Sequence, residues 1–127
     1  MNEKFEAKNQ EAIEYFETAF TVYNIYTVNG KQTLGENYAD LAGVEACINL
    51  IDNEDDLRDF FESNALTWAM LNTVDGLKDQ IKSDVHSPEI LRCNAVIACF
   101  DEFYELYDVK EGDGMYIAPE NRISRWK

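Results

Sequence analysis

Glu36 and Asp40 stand four residues apart, so on a helix both carboxylates project from one face. About fifty residues later comes Asp84-Val85-His86-Ser87-Pro88, followed by Arg92. This second segment holds the only histidine of the chain and a guanidinium just beyond it. One carboxylate can ligate a metal, and the other can orient a ligating histidine. An imidazole can hold a developing oxyanion, and a guanidinium fork can grip a carbonyl or carboxylate. Together these are component types of metal-dependent peptide hydrolysis. The set is short of donors, because no His-Glu-x-x-His occurs and one histidine cannot supply two imidazole ligands.

Each residue also has a plainer use. Thr33-Leu34-Gly35-Glu36 fits a capping box, with Thr33 as N-cap and Glu36 reaching back, which leaves Asp40 a solvated helix acid. Spacing alone favours that use, since a match this short recurs by chance. Gly35, Ala39, Ala42 and Gly43 argue the other way, because they keep the helix thin, as needed where another helix approaches closely. His86 could cap or fill a loop, and Arg92 could pair with surface acids at little energetic effect.

The elements that must position these residues read as mostly α. Phe5, Ala12, Ile13, Phe16, Ala19, Phe20 and Tyr23 recur at helical spacing over 2–23. The β-branched and aromatic run 21–27 predicts an extended piece, and Asn29-Gly30 a turn. Leu34, Tyr38, Leu41, Ile48 and Ile51 form the apolar stripe of a helix over 33–51. Asn53 before Glu54-Asp55-Asp56 starts a third helix, with core residues Leu57, Phe60, Phe61, Trp68 and Leu71. A weaker helical piece over 75–82 carries Gly76, and Ser87-Pro88-Glu89 is a further helix start. Periodicity leaves 93–98 open between helix and buried strand. Phe100, Phe103, Tyr104 and Tyr107 make a last stripe, ended by Gly112-Asp113-Gly114. An irregular, partly extended tail with a Pro119 turn follows, with Trp126 as an anchor.

At 127 residues and 46% hydrophobic composition, the chain can bury a core as one unit over 1–127. Its 25 acidic residues against 11 basic ones, a net charge of −14, argue against nucleic-acid phosphate or anionic membrane surfaces as partners. The acids are interleaved with apolar positions, the pattern of solvated helix faces and not of a DNA mimic. Cys47, Cys93 and Cys99 make an odd count without CxxC, which points to reduced, buried thiols and a cytoplasmic setting. The first residues lack the basic start and apolar run of a leader, and no apolar run reaches transmembrane length.

Read together, these segments resemble the neprilysin family of zinc metallopeptidases, most closely its bacterial endopeptidase O branch, over nearly the whole chain. Val28-Asn29-Gly30-Lys31-Gln32-Thr33-Leu34-Gly35-Glu36-Asn37-Tyr38-Ala39-Asp40 is similar to the Gly-Glu-Asn-x-x-Asp helix of that family. Asp84-Val85-His86-Ser87-Pro88 with Arg92 and Asn94 is similar to its substrate-binding segment, and 103–126 to its closing segment. Tyr38 and Ala42 replace the usual isoleucine and glycine, and Arg125 and Lys127 depart from the usual ending.

The resemblance implies a mainly α fold, the helical carboxy-terminal portion of a zincin-type catalytic domain with an extended tail. It implies Glu36 as third zinc ligand and Asp40 as the carboxylate orienting a ligating histidine. His86 would stabilise the tetrahedral intermediate, and Arg92 would grip the bound peptide. The zinc helix, with two histidines and the general base, would lie upstream of Met1. Zinc then belongs to the complete enzyme and is not held by this chain alone, which is expected to be inactive by itself. Implied partners are a peptide substrate and an upstream catalytic half, or self-association through exposed apolar surface. The alternative is a catalytically dead peptide-binding or regulatory module on the same scaffold.

Overall fold

Alternating charged and apolar residues at helical spacing fold Glu3–Thr18 into α1, which buries Ala12, Tyr15 and Phe16. The computed structural model describes residues 3–22 and 26–124. Its remaining helices are α2 (Gly30–Ile48), α3 (Glu54–Trp68), α4 (Val74–Ser83) and α5 (Asp101–Tyr107). Between α4 and α5 the chain is helical over 89–97, with Leu91–Ala95 wound as a π-helix. A short 3-10 turn, Pro119–Asn121, interrupts the tail.

The mainly α expectation holds, while several boundaries move. α1 stops at Thr18 instead of running to 23, and Phe5 is exposed instead of facing the core. In the stretch expected to be extended, Val22 and Tyr26 form an isolated antiparallel bridge. Tyr23 and Trp126 lie outside the described residues. α2 is capped by Asn29, whose side chain accepts from the Gln32 amide, and not by Thr33. The expected turn at Asn29-Gly30 is therefore a helix start. α3 begins where its sequence places it, with the Asn53 side chain accepting from the Asp56 amide and three acids in the first turn. It ends at Trp68, so Leu71 falls beyond the helix and is fully exposed. α4 forms across Gly76 because Thr73 caps it, its hydroxyl accepting from the Gly76 amide.

The 93–98 ambiguity resolves as helix, with Ala95, Val96, Ile97 and Ala98 buried in succession. Ser87 does not cap that helix, because its hydroxyl is turned to α2. α5 ends at Asp108 in the left-handed region (φ 52°), well before the glycines. Cys93 is buried and Cys99 partly buried, but Cys47 is exposed on α2, contrary to the expected burial of all three.

The core joins Tyr15, Phe16, Leu41, Val44, Ile48, Phe61 and Leu77 to Leu91 and 95–97. α1 packs on α2, and α3 on the π-helical segment. At the start of α2 a Cβ on Gly30 would lie 2.5 Å from the Ile13 carbonyl oxygen, so glycine permits the close approach of α1. Arg122 fastens the tail: its guanidinium stacks on Tyr104 and bonds Asp101 and the Ile117 carbonyl. Among the described residues, no helix is long and apolar enough to cross a membrane.

Candidate active site

α2 presents three parallel lines of residues. Thr33, Asn37, Leu41, Val44 and Ile48 are buried against the core. Glu36 and Asp40 run along the edge of that stripe, half-buried, while Gly35, Ala39 and Gly43 face outward. A Cβ built on Gly35 or Gly43 would meet nothing within 4 Å. Of the thin face expected to receive another helix, Gly35, Ala39 and Gly43 are thus exposed, while Ala42 is half-buried.

The loop after α4 brings His86 to the Glu36 end of that edge. Asp84 Oδ1 accepts from the His86 backbone N–H at 2.8 Å and meets His86 Nδ1 at 2.7 Å. The His86 backbone N–H is the first reason that the Asp84 carboxyl is held below the usual carboxylate range, and the ring contact adds to it. Facing an ionised carboxylate, Nδ1 is assigned the ring proton. Nε2 is then left 3.4 Å from Glu36 Oε2.

Two further bonds pin the loop to α2. Gln32 Nε2 donates to the Asp84 carbonyl at 2.6 Å, and Ser87 Oγ donates to Asn37 Oδ1 at 2.7 Å. Asn37 Nδ2 in turn donates to Thr33 Oγ1 at 3.0 Å.

Arg92 reaches the other end of the edge from the π-helical segment. Its Nε and one Nη each donate to a different oxygen of Asp40, both at 2.7 Å, a bidentate fork. The guanidinium carbon lies 4.1 Å from the centroid of the Trp68 ring. The hydrogen bonds to Asp40 are the main cause that raises the Arg92 pKa. Asp40, Arg92, Trp68, Phe60, Ala39 and Gly43 line a groove of about 260 Å³.

The four residues singled out from sequence thus lie along one edge of α2, as two pairs: Glu36 with His86, and Asp40 with Arg92. Glu36 forms no capping box, because the helix starts at Asn29. Asp40 meets no histidine within this chain; its partner is Arg92. Sequence reasoning missed Asp84 as the partner of the imidazole. The signal was present, since an Asp two residues before a backbone N–H is a common Asx turn. It also counted Trp68 simply as core and overlooked Asn37 and Ser87, for which no local pattern exists.

Residues 1–123 match Peptidase family M13. The chain belongs to this family. The neutral endopeptidase of Lactobacillus helveticus is 41% identical over 105 residues, covering 82% of this chain and 16% of that protein. The neutral endopeptidase of Lactococcus lactis subsp. lactis (strain IL1403) is 39% identical over 126 residues, covering 98% and 20%. Among solved structures, PepO from Lactobacillus rhamnosis HN001 (DR20) superposes with a TM-score of 0.88 at 31% identity, covering 97% of this chain and 20% of that one. The zinc metalloprotease Zmp1 of Mycobacterium tuberculosis in complex with inhibitor gives 0.80 at 26% identity, covering 98% and 22%.

The chain therefore spans a fifth or less of the curated M13 relatives it matches. It has the fold of the helical portion of an M13 peptidase. As a metal donor, Glu36 suits one corner of an M13 zinc centre. Among the described residues, no group of three or more His, Cys, Asp or Glu side chains is placed to hold a metal ion. The donors present fit part of such a centre and not the whole.

Proposed function

We propose that residues 1–127 work as one carboxy-terminal piece of the catalytic domain of an M13 zinc endopeptidase acting on peptides. The observation that carries this reading is the shared edge of α2, where the Glu36–His86 and Asp40–Arg92 pairs follow one another, the second lining an open groove. In a complete centre, zinc supplies Lewis-acid polarisation and an activated water. This chain supplies the surrounding grip. Glu36 offers an oxygen ligand, half-exposed and free of a capping role. Asp84 accepts from the Nδ1–H of the His86 ring, so that in the imidazolium form the second N–H, at Nε2, is the donor available to the oxyanion. Asp40 fixes the Arg92 fork by its Nε and one Nη, leaving the remaining Nη edge for a peptide carbonyl. The free Asp40 lone pairs suit the N–H of a ligating histidine brought by an upstream segment.

Two ligands and the general base are lacking, so the chain by itself is expected to be inactive. The exposed face Gly35, Ala39 and Gly43 suits the approach of the upstream helix that brings them, or of a second copy. Three free cysteines support a cytoplasmic setting.

Incubating the purified chain with zinc and a fluorogenic peptide should give no turnover. Adding a separately expressed upstream portion of a relative that carries His-Glu-x-x-His should restore some. Chelator-sensitive cleavage by the chain alone would overturn the reading. Peptide affinity that ignores zinc and disappears in Arg92→Ala would mark a binding module in its place.

A further inference from the structure

Ser87 directly follows His86, and Asn37 directly follows Glu36. Both are 1% exposed, and their side chains meet at 2.7 Å across fifty residues of chain. We propose that Asn37 and Ser87 are positioning residues, a buried latch that sets His86 against Glu36. The proposal rests on the reading of His86 as a site residue. Three observations support it.

The bond is directional and fully committed. Ser87 donates to Asn37 Oδ1, the Asn37 amide donates to Thr33 Oγ1, and the Thr33 hydroxyl donates to the Asn29 carbonyl. No buried side-chain nitrogen or oxygen among the described residues lacks a partner. Apolar residues would fill this space without fixing an angle, whereas a chain of short hydrogen bonds fixes one.

The loop is also pinned on both sides of His86 to the same helix. Gln32 holds the Asp84 carbonyl before it, and Asn37 holds Ser87 after it. Finally, Pro88 follows at once, buried and without an N–H, so Ser87 has little freedom to follow a shifted loop. The imidazole, itself half-exposed and lightly packed, takes its position from these anchors.

The chain has a single histidine, so nitrogen-15 spectra of the imidazole report one site without ambiguity. At fixed neutral pH the parent is expected to show one tautomer, protonated at Nδ1. In Ser87→Ala the two ring nitrogens should move toward each other as tautomers mix, and cross-relaxation from the ring to α2 should vanish. Ser87→Cys, a weaker donor in nearly the same shape, should fall between. Gln32→Ala removes the outer anchor from a partly exposed position and should mix the tautomers less, with the fold kept.

A folded Ser87→Ala whose ring signals equal the parent's overturns the proposal. If Ser87→Ala does not fold, Gln32→Ala decides, and unchanged ring signals there overturn it equally. In the enzyme completed with an upstream portion, Ser87→Ala should lower kcat about tenfold with KM within about twofold, as expected for a misplaced reacting group. The ring readout needs no turnover, so an inactive completed enzyme with a disturbed ring would sink the peptidase reading and leave the latch standing.

Discussion

Arg92 and Arg122 face the same problem and solve it differently. Each guanidinium lies over an aromatic ring, Trp68 at 4.1 Å for Arg92 and Tyr104 at 3.4 Å for Arg122. Each is paired with an aspartate. Arg92 gives both of its forked donors to Asp40, whose side chain is only 15% exposed. Arg122 gives one donor to Asp101, which is 66% exposed, and its Nε to the Ile117 carbonyl. The first arrangement fixes a planar charge at the rim of a groove and leaves one edge unused. The second ties backbone to helix and closes the tail over α5. The two stacked, paired arginines thus differ chiefly in their partners, a sheltered carboxylate held by two donors for Arg92 and an exposed one held by a single donor for Arg122.

The sharpest way to break this comparison is to remove the two acids. Asp40→Ala strands a largely buried guanidinium and should cost about 2–4 kcal/mol in denaturant unfolding. Asp101→Ala removes a carboxylate that is 66% exposed and leaves Arg122 its bond to the Ile117 carbonyl and its place on Tyr104, so it should cost below about 1 kcal/mol. Equal shifts in the denaturation midpoints would erase the distinction.

The tail clip has its own test. The Tyr104 hydroxyl donates to the Ala98 carbonyl and accepts from the Ile117 amide, so Tyr104→Phe should cost about 1–2 kcal/mol. It should also speed hydrogen exchange at the Ile117 amide while leaving the amide of His86 unchanged.

Thiol labelling sharpens the contrast between an open groove and a closed tail. Cys47 lines the groove and is exposed, whereas burial pushes the Cys99 thiol up to about 11. At pH 8 an alkylating reagent should modify Cys47 well before Cys93 or Cys99, and mass mapping of the labelled peptides would show the order.

The smallest effect concerns Asp84. Its folded pKa lies below the ordinary carboxylate value, so the stability it contributes is present above about pH 4 and is lost as pH falls through the lower folded value. The stability gap between the parent and Asp84→Asn should be constant near neutrality and close only in acid. A gap that persists at the lowest pH where the chain stays folded would assign its origin to packing.

What could be read from the sequence divides along the range of the interactions. The start of α3 was legible because Asn53 and three acids act on the next turn. The start of α2 was misread because Asn29 and Thr33 are both good caps, and Thr33, one turn inside the helix, bonds back to the Asn29 carbonyl and accepts from Asn37 instead of capping. Leu71 and Phe5 have core chemistry, yet their helices end early or turn them outward. Glu36, Asp40, His86 and Arg92 were legible as residue types. That they form two adjacent pairs was not, because contacts across fifty residues leave no periodic trace. Asn37 and Ser87 were hidden for the same reason, since a buried polar pair has no pattern until its partner is known.

The winding of Leu91–Ala95 also sets how Arg92 tolerates change. An α-helical turn advances each side chain by a fixed angle, and a π turn accommodates one residue more. Removing a single residue downstream of Arg92 within this stretch would let the turn relax to ordinary pitch. The four consecutive buried positions 95–98 would then keep their phase on the core, and the change would fall on the guanidinium, shifted from its place over Trp68. A one-residue deletion in this short stretch should therefore spare the fold and disturb Arg92.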